Sequence, residues 1–180
     1  MSFEPNIIAY HCNDKKRCKV FVDDHSKLVW SKEEGIWLGS GMYFWDNMSN
    51  AKYWLKQKKR KNAKEEHAIR EGSLVISKML DLTDKEICDE IQELWRAYSK
   101  NMGIDEKQPL GKKLNMLFES SPMMREHFNV IKVNGKYIKE KPSELFYFKS
   151  KGEKIEPTLG TKTIYSAKNS ECLGEFHLIA

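Results

Sequence analysis

Gly39 and Gly41, one residue apart in the run Ile36-Trp-Leu-Gly-Ser-Gly-Met-Tyr-Phe-Trp45, constrain this chain more than any other feature. Glycine opens backbone angles closed to other residues, or lets another backbone or a ligand approach closely. Tyr43, Phe44 and Trp45 follow at once, so the segment leaves a turn and enters a strand. In a dinucleotide-binding βαβ unit the glycines follow a strand and open a helix, and a third glycine is present. Neither holds here, so a Rossmann reading fails. Two readings of the segment stay open, a ligand-facing turn and a buried hairpin corner whose aromatics fill the core.

The elements on either side give an α+β order. Asn6 to His11 reads as a short buried strand with His11 at its end, where Cys-Asn-Asp begins a polar loop. Val20 to Trp30 fits a short helix or an irregular connection. Asp46 to Asn50 is rich in N-cap residues. A helix is predicted from Ala51, with Ala51, Trp54 and Leu55 on one face, running into Lys58, Lys59, Arg60 and Lys61. That basic block suits either a solvated helix end or a nucleic-acid patch, and the lack of aromatics after Trp54 favours the solvated end. Ser73 to Leu82 is predicted as a strand. Thr83-Asp-Lys-Glu86 is a capping box, and Ile87, Ile91, Leu94, Trp95 and Tyr98 stripe the helix behind it. Further helices are expected over Leu110 to Phe118 and after Pro122. Phe128 to Ile138 reads as a hairpin turning on Asn134-Gly135. Leu145 to Phe148, Thr163 to Ala167 and Glu175 to Ile179 are strand candidates, with a loop over Lys149 to Gly160.

A chain of 180 residues with no interdomain linker is expected to form one domain, residues 1–180. The net charge of +5 tolerates an anionic partner without requiring one. No run approaches the ~18 apolar residues of a membrane span, and Met-Ser-Phe-Glu-Pro lacks the features of a secretory signal. Cys12, Cys18, Cys88 and Cys172 form no C-x-x-C pair and are expected as free thiols in a reducing, cytoplasmic setting. The five histidines show no metal-ligand spacing, so no metal is expected.

Three short stretches carry a resemblance: Ala-Tyr-His11; Leu-Gly-Ser-Gly-Met-Tyr43-Phe-Trp with the helix start Ser49-Asn50-Ala51-Lys52-Tyr53; and Gly174-Glu175-Phe-His-Leu-Ile. Together they resemble the ADP-ribosyltransferase fold, in its diphtheria-toxin-like and poly-ADP-ribose-polymerase-like branch, and within it the small bacterial transferases. The resemblance implies a single domain of split antiparallel sheets flanked by helices. It also implies a His11–Tyr43–Glu175 triad that binds NAD and cleaves its bond to nicotinamide, with Cys12, Gly39, Gly41 and Tyr53 completing the NAD site. Cys12 stands where the family usually has glycine, and Glu171 is a competing carboxylate. The Ser-Thr-Ser and Glu-x-Glu patterns of the other branch are absent.

Cleavage of that bond passes through an oxocarbenium-like state, as in glycoside hydrolysis. An aromatic ring such as Tyr43 can stack on nicotinamide, a histidine such as His11 can bond a ribose hydroxyl, and a carboxylate such as Glu175 can stabilise the cation. The expected activity is transfer of ADP-ribose to a macromolecular acceptor, protein or nucleic acid, in a bacterial toxin or defence effector. Two alternatives use the same residues: an NAD glycohydrolase with water as acceptor, and an inactive fold that binds nucleic acid or ADP-ribose. Nucleic-acid contact would run through Lys58, Lys59, Arg60 and Lys61.

Overall fold

The computed structural model describes residues 4–31, 35–137 and 158–179. The expected strand at Leu145 to Phe148, the end of the Phe128 to Ile138 hairpin and most of the Lys149 to Gly160 loop lie outside them. The described residues form a mixed α+β structure. In chain order the elements are β1 (Asn6–Asp14), α1 (Lys15–Asp23), β2 (Met42–Trp45), α2 (Met48–Lys61), β3 (His67–Val75), β4 (Met79–Asp81), α3 (Lys85–Met102), α4 (Leu110–Ser120), α5 (Pro122–His127), β5 (Val130–Lys136), β6 (Thr161–Ala167) and β7 (Leu173–Leu178).

The strands make one seven-stranded sheet in the order β4-β5-β6-β2-β1-β3-β7. All neighbours are antiparallel except β4 and β5. The sheet is continuous, whereas the resemblance implied split sheets. Its narrowest joint lies between β1 and β2, which register at Tyr10↔Trp45 alone. β1 and β3, by contrast, pair from Asn6↔Val75 to Asp14↔His67.

Strand alternation sorts the core onto the two faces. Ala9, Phe44, Leu74 and Phe176 pack with Phe21 of α1 on one face. Cys12, Trp45, Ile69 and Ile164 share the other with Ala51 of α2, Leu114 of α4 and Met124 of α5. The stripe of α3 packs there too, and its Trp95 is fully buried.

Local signals set most helix ends. Asp14 caps α1 by accepting from the Lys16 and Arg17 amides, so α1 begins earlier than the Val20 expectation. Asn47 caps α2, and the basic block forms its last turn, where cations suit the helix dipole. Asp84 rather than Thr83 caps α3, one residue inside the capping box.

Several expected bounds differ from those observed: β1 runs on through Cys12 and Asn13 to Asp14, so His11 lies inside the strand and not at its end, and β7 begins at Leu173, so Glu175 lies inside it and does not open it. The Ser73 to Leu82 strand is two strands, and β3 reaches back to His67 through Arg70, which is buried despite its charge. Asn134-Gly135 is no turn. Both residues lie inside β5, paired with Thr163 and Lys162, and Gly135 does not adopt the positive φ that a type I′ turn demands. A Cβ on Gly135 would stand 3.1 Å from Trp37 and from Tyr137, so the glycine makes room for an aromatic wall.

Candidate functional site

Where β1 and β2 part, the His11 side chain fills the joint. Its Nδ1 lies 2.7 Å from the Tyr43 carbonyl oxygen. A carbonyl only accepts, so Nδ1 carries the proton and donates, and Nε2 presents a lone pair. Nε2 is buried with no hydrogen-bond partner among the described residues. Burial holds the imidazole neutral, lowering its pKa to about 4. The result is a fixed, uncharged acceptor that lacks a donor.

His11 borders a cavity of about 290 Å³ lined also by Tyr43, Trp37, Trp54, Tyr137 and Lys58. Cys12, Asn13, Trp45 and Lys61 complete much of the remaining wall. Burial pushes the Cys12 thiol up to about 12, so it serves as apolar wall and not as a nucleophile. Trp37 and Tyr137 stack with centroids 6.4 Å apart, and Trp45 and Trp54 lie 5.8 Å apart. No carboxylate lines the cavity among the described residues.

The Gly39–Gly41 turn is built by protein contacts. Gly39 has φ +74°, and a Cβ there would fall 2.2 Å from Asn115 Oδ1 and 2.9 Å from the Gly111 carbonyl of α4. At Gly41 a Cβ would meet Ser166 Oγ at 2.3 Å. The space the glycines free is therefore filled by α4 and β6. Side-chain hydrogen bonds lock the turn from both sides. The Leu38 amide donates to the Tyr43 hydroxyl at 3.0 Å, and that hydroxyl donates to the Gly39 carbonyl at 2.7 Å. From behind, Lys168 Nζ donates to the Leu38 and Ser40 carbonyls at 2.7 and 2.6 Å.

The remaining sequence-predicted residues stand apart from the cavity. The Tyr53 ring faces Lys162, whose Nζ lies 5.1 Å from its centroid and 5.2 Å from that of Tyr137. Lys162 is buried and donates to Asn50 Oδ1 at 3.0 Å. Glu175 is exposed on β7, an edge strand separated from β1 by β3. Phe176 opposite Gly72 points into the Ala9–Phe44 core, so alternation puts Glu175 on the face Tyr43 uses, but three strands away. Glu171 is likewise exposed, in the turn before β7. The structure thus brings together His11, Cys12 and Tyr43, and leaves Gly39, Gly41, Tyr53 and Glu175 off the cavity wall.

Trp54, Lys58 and Lys61 are wall residues that the sequence motifs did not mark as part of the site. Their spacing of four and three residues on α2 was the signal available. Among the described residues no cluster of three or more His, Cys, Asp or Glu could hold a metal, and no helix is long and apolar enough to cross a membrane. Compared with protein families, curated proteins and solved structures, the chain matches none.

Proposed function

We propose that this chain binds NAD, or the ADP-ribosyl part of it, with one nucleoside half in the cavity beside His11. The observation that carries the reading is the buried, unpartnered Nε2 of His11, held as an acceptor by the Tyr43 carbonyl. An unsatisfied buried acceptor costs about 1–3 kcal/mol, which a ligand donor such as a ribose hydroxyl recovers. The aromatic wall suits a planar ring, and Lys58 and Lys61 at its margin suit the diphosphate. The cavity is at the small end of ligand pockets, so the other half of the dinucleotide extends beyond it.

ADP-ribosyl transfer is the second reading, favoured by the meeting of His11 and Tyr43 at one cavity. It needs a carboxylate beside the ribose. Glu175 supplies none from its edge strand, and Glu33, Glu34, Glu140, Glu144, Glu153 and Glu156 lie outside the described residues. Binding is therefore the conclusion, and transfer is the stronger claim to be tested on top of it.

Calorimetric titration with NAD, ADP-ribose and nicotinamide tests the binding. NAD or ADP-ribose should bind, and His11→Leu should weaken either at least tenfold, the order of one lost hydrogen bond to a buried group. No heat with any of the three overturns the reading. Incubation with labelled NAD and a lysate tests transfer. Label in protein or nucleic acid establishes it, and free ADP-ribose alone establishes a glycohydrolase. Full activity of Glu175→Gln would remove Glu175 from the chemistry.

A further inference from the structure

The cavity does not end at Lys61. A groove of about 600 Å³ adjoins it, sharing Asn13, Trp54, Lys58 and Lys61 and adding Lys16 and Arg17 from the first turn of α1. Four cations therefore line one depression. None of them is in a salt bridge with a carboxylate among the described residues. The two carboxylates of the groove act on its cations only through space, Asp14 on Arg17 and Glu65 on Lys58, and their hydrogen bonds go to other groups. Asp14 accepts the Lys16 and Arg17 amides as the α1 cap. Glu65 accepts from the Asn62 side-chain amide at 3.2 Å and lies 4.0 Å from His67. Burial is the main cause that lowers the Lys58 pKa; the Arg17 charge adds to it, and Cys12, Cys18 and Glu65 oppose it. Four cations against two carboxylates leave the groove with a positive field that an anion relieves.

We propose that this groove binds a single-stranded nucleic acid along its phosphodiester backbone, with one nucleotide at the mouth of the His11 cavity. Four cations exceed what the two phosphates of one dinucleotide require, and they extend away from the cavity along α1 and the end of α2. Trp54 is half-buried at the junction of groove and cavity, where a base can stack on it. A nucleotide at the cavity mouth must be splayed out from its neighbours, which a paired base cannot be without leaving its duplex. Strand binding does not rest on the NAD reading. Its meaning as the presentation of an acceptor does.

The test is fluorescence anisotropy on the full chain with labelled twelve-nucleotide oligothymidylate, oligouridylate and a duplex of the same length, without NAD. Four phosphate contacts give a log–log salt slope of about −3, a loss of about fiftyfold between 50 and 200 mM salt. The double variant Lys16→Gln, Arg17→Gln should make the slope shallower by about 1.4 and leave the NAD dissociation constant within twofold. Both residues are exposed and off the cavity wall, so the variant keeps the fold, which circular dichroism verifies. Preference for thymidylate or uridylate distinguishes DNA from RNA, and either supports the proposal. No strand binding at 50 mM salt overturns it. Tighter binding of the duplex, or equal binding of a polyglutamate peptide, overturns its choice of partner. Equal loss of NAD and strand in the double variant assigns the groove to the dinucleotide's own phosphates and also overturns it. Strand binding with no NAD binding leaves this proposal standing and removes the previous one.

Discussion

His11 gives the sharpest test of how the joint between β1 and β2 is built. Burial lowers its pKa from 6.5 to about 4, against the favourable hydrogen bond to the Tyr43 carbonyl. The unfolded chain takes up a proton below pH 6.5, and the folded chain does so only near pH 4. Between those values the unfolded state binds more protons, so stability falls as the pH is lowered. His11 therefore contributes its full stability above pH 6.5. Each pH unit crossed between the two values removes about 1.4 kcal/mol, so the loss is about 2 kcal/mol by pH 5 and about 3 kcal/mol by pH 4. Below pH 4 both states are protonated and the loss levels off. The perturbation is His11→Gln, which keeps a donor for the Tyr43 carbonyl and cannot titrate. Urea unfolding of both proteins at half-unit steps from about pH 7.5 to 4 supplies the assay, and the difference between them cancels the carboxylates common to both. The wild type should lose about 3 kcal/mol more than the variant over that range. Parallel curves, within about 0.5 kcal/mol, would refute a buried neutral imidazole and with it the fixed acceptor on which the ligand reading depends. Because His11 stays neutral from about pH 6 to 8, NAD affinity should be flat across that interval.

Removing the Tyr43 hydroxyl leaves the Leu38 amide and the Gly39 carbonyl without that partner, so Tyr43→Phe should cost about 1–3 kcal/mol by urea unfolding, where an aromatic that only stacks would cost little. Gly39→Ala meets both a left-handed backbone and Asn115, and its loss of stability should exceed that of Gly103→Ala, which has φ +63° but open space around its Cβ; equal losses by the same assay would show that the α4 contact yields. Burial lowers the Lys168 pKa from 10.5 to about 7, so the unfolded chain binds the extra proton between those values and stability contributed by this group rises with pH there, by up to about 1.4 kcal/mol for each pH unit. Wild type should therefore gain on Lys168→Met as the pH rises from about 7.5 to 9.5 in thermal or urea unfolding, and a flat difference would show the amine to be charged in the fold.

The sequence made the local features of this fold readable and hid the ones that depend on strand order. β2 leaving the glycine turn, the cap and basic end of α2, and the stripe of α3 all follow from residues within a few positions of one another. Tyr43 was placed just past the glycine turn by the same local logic; His11 was expected at a strand end but lies inside β1, and the two share a cavity all the same. Glu175 shows the limit. It was expected to open the last strand, whereas β7 begins at Leu173, and that β7 pairs with β3 and not with β2 is a property of the whole sheet. Asn134-Gly135 fails for a related reason. The dipeptide prefers a turn, and the aromatic pair Trp37–Tyr137, with Trp37 far upstream of Gly135 in the chain, uses the glycine as a flat site inside a strand. Arg70 and Lys162 broke the pattern because their charges look like surface, yet each is buried on a strand.

The glycine turn joins these threads. Taken locally, Gly39 and Gly41 leave room for a ligand; in the fold, Asn115, the Gly111 carbonyl and Ser166 take that room. The turn then holds Tyr43 through its hydroxyl, and the Tyr43 carbonyl holds His11 through Nδ1. Lys168 and the Asn115 side chain, which accepts from the Ser40 amide at 2.6 Å, brace the turn from the far side. On the proposed reading the glycines would act on a bound ligand through two successive hydrogen bonds, since the Tyr43 carbonyl sets which nitrogen of His11 is left to accept. That chain of contacts explains why a turn that touches no part of the cavity belongs to the same device as the acceptor at its floor, and why a substitution at Gly39 should change ligand affinity as well as stability.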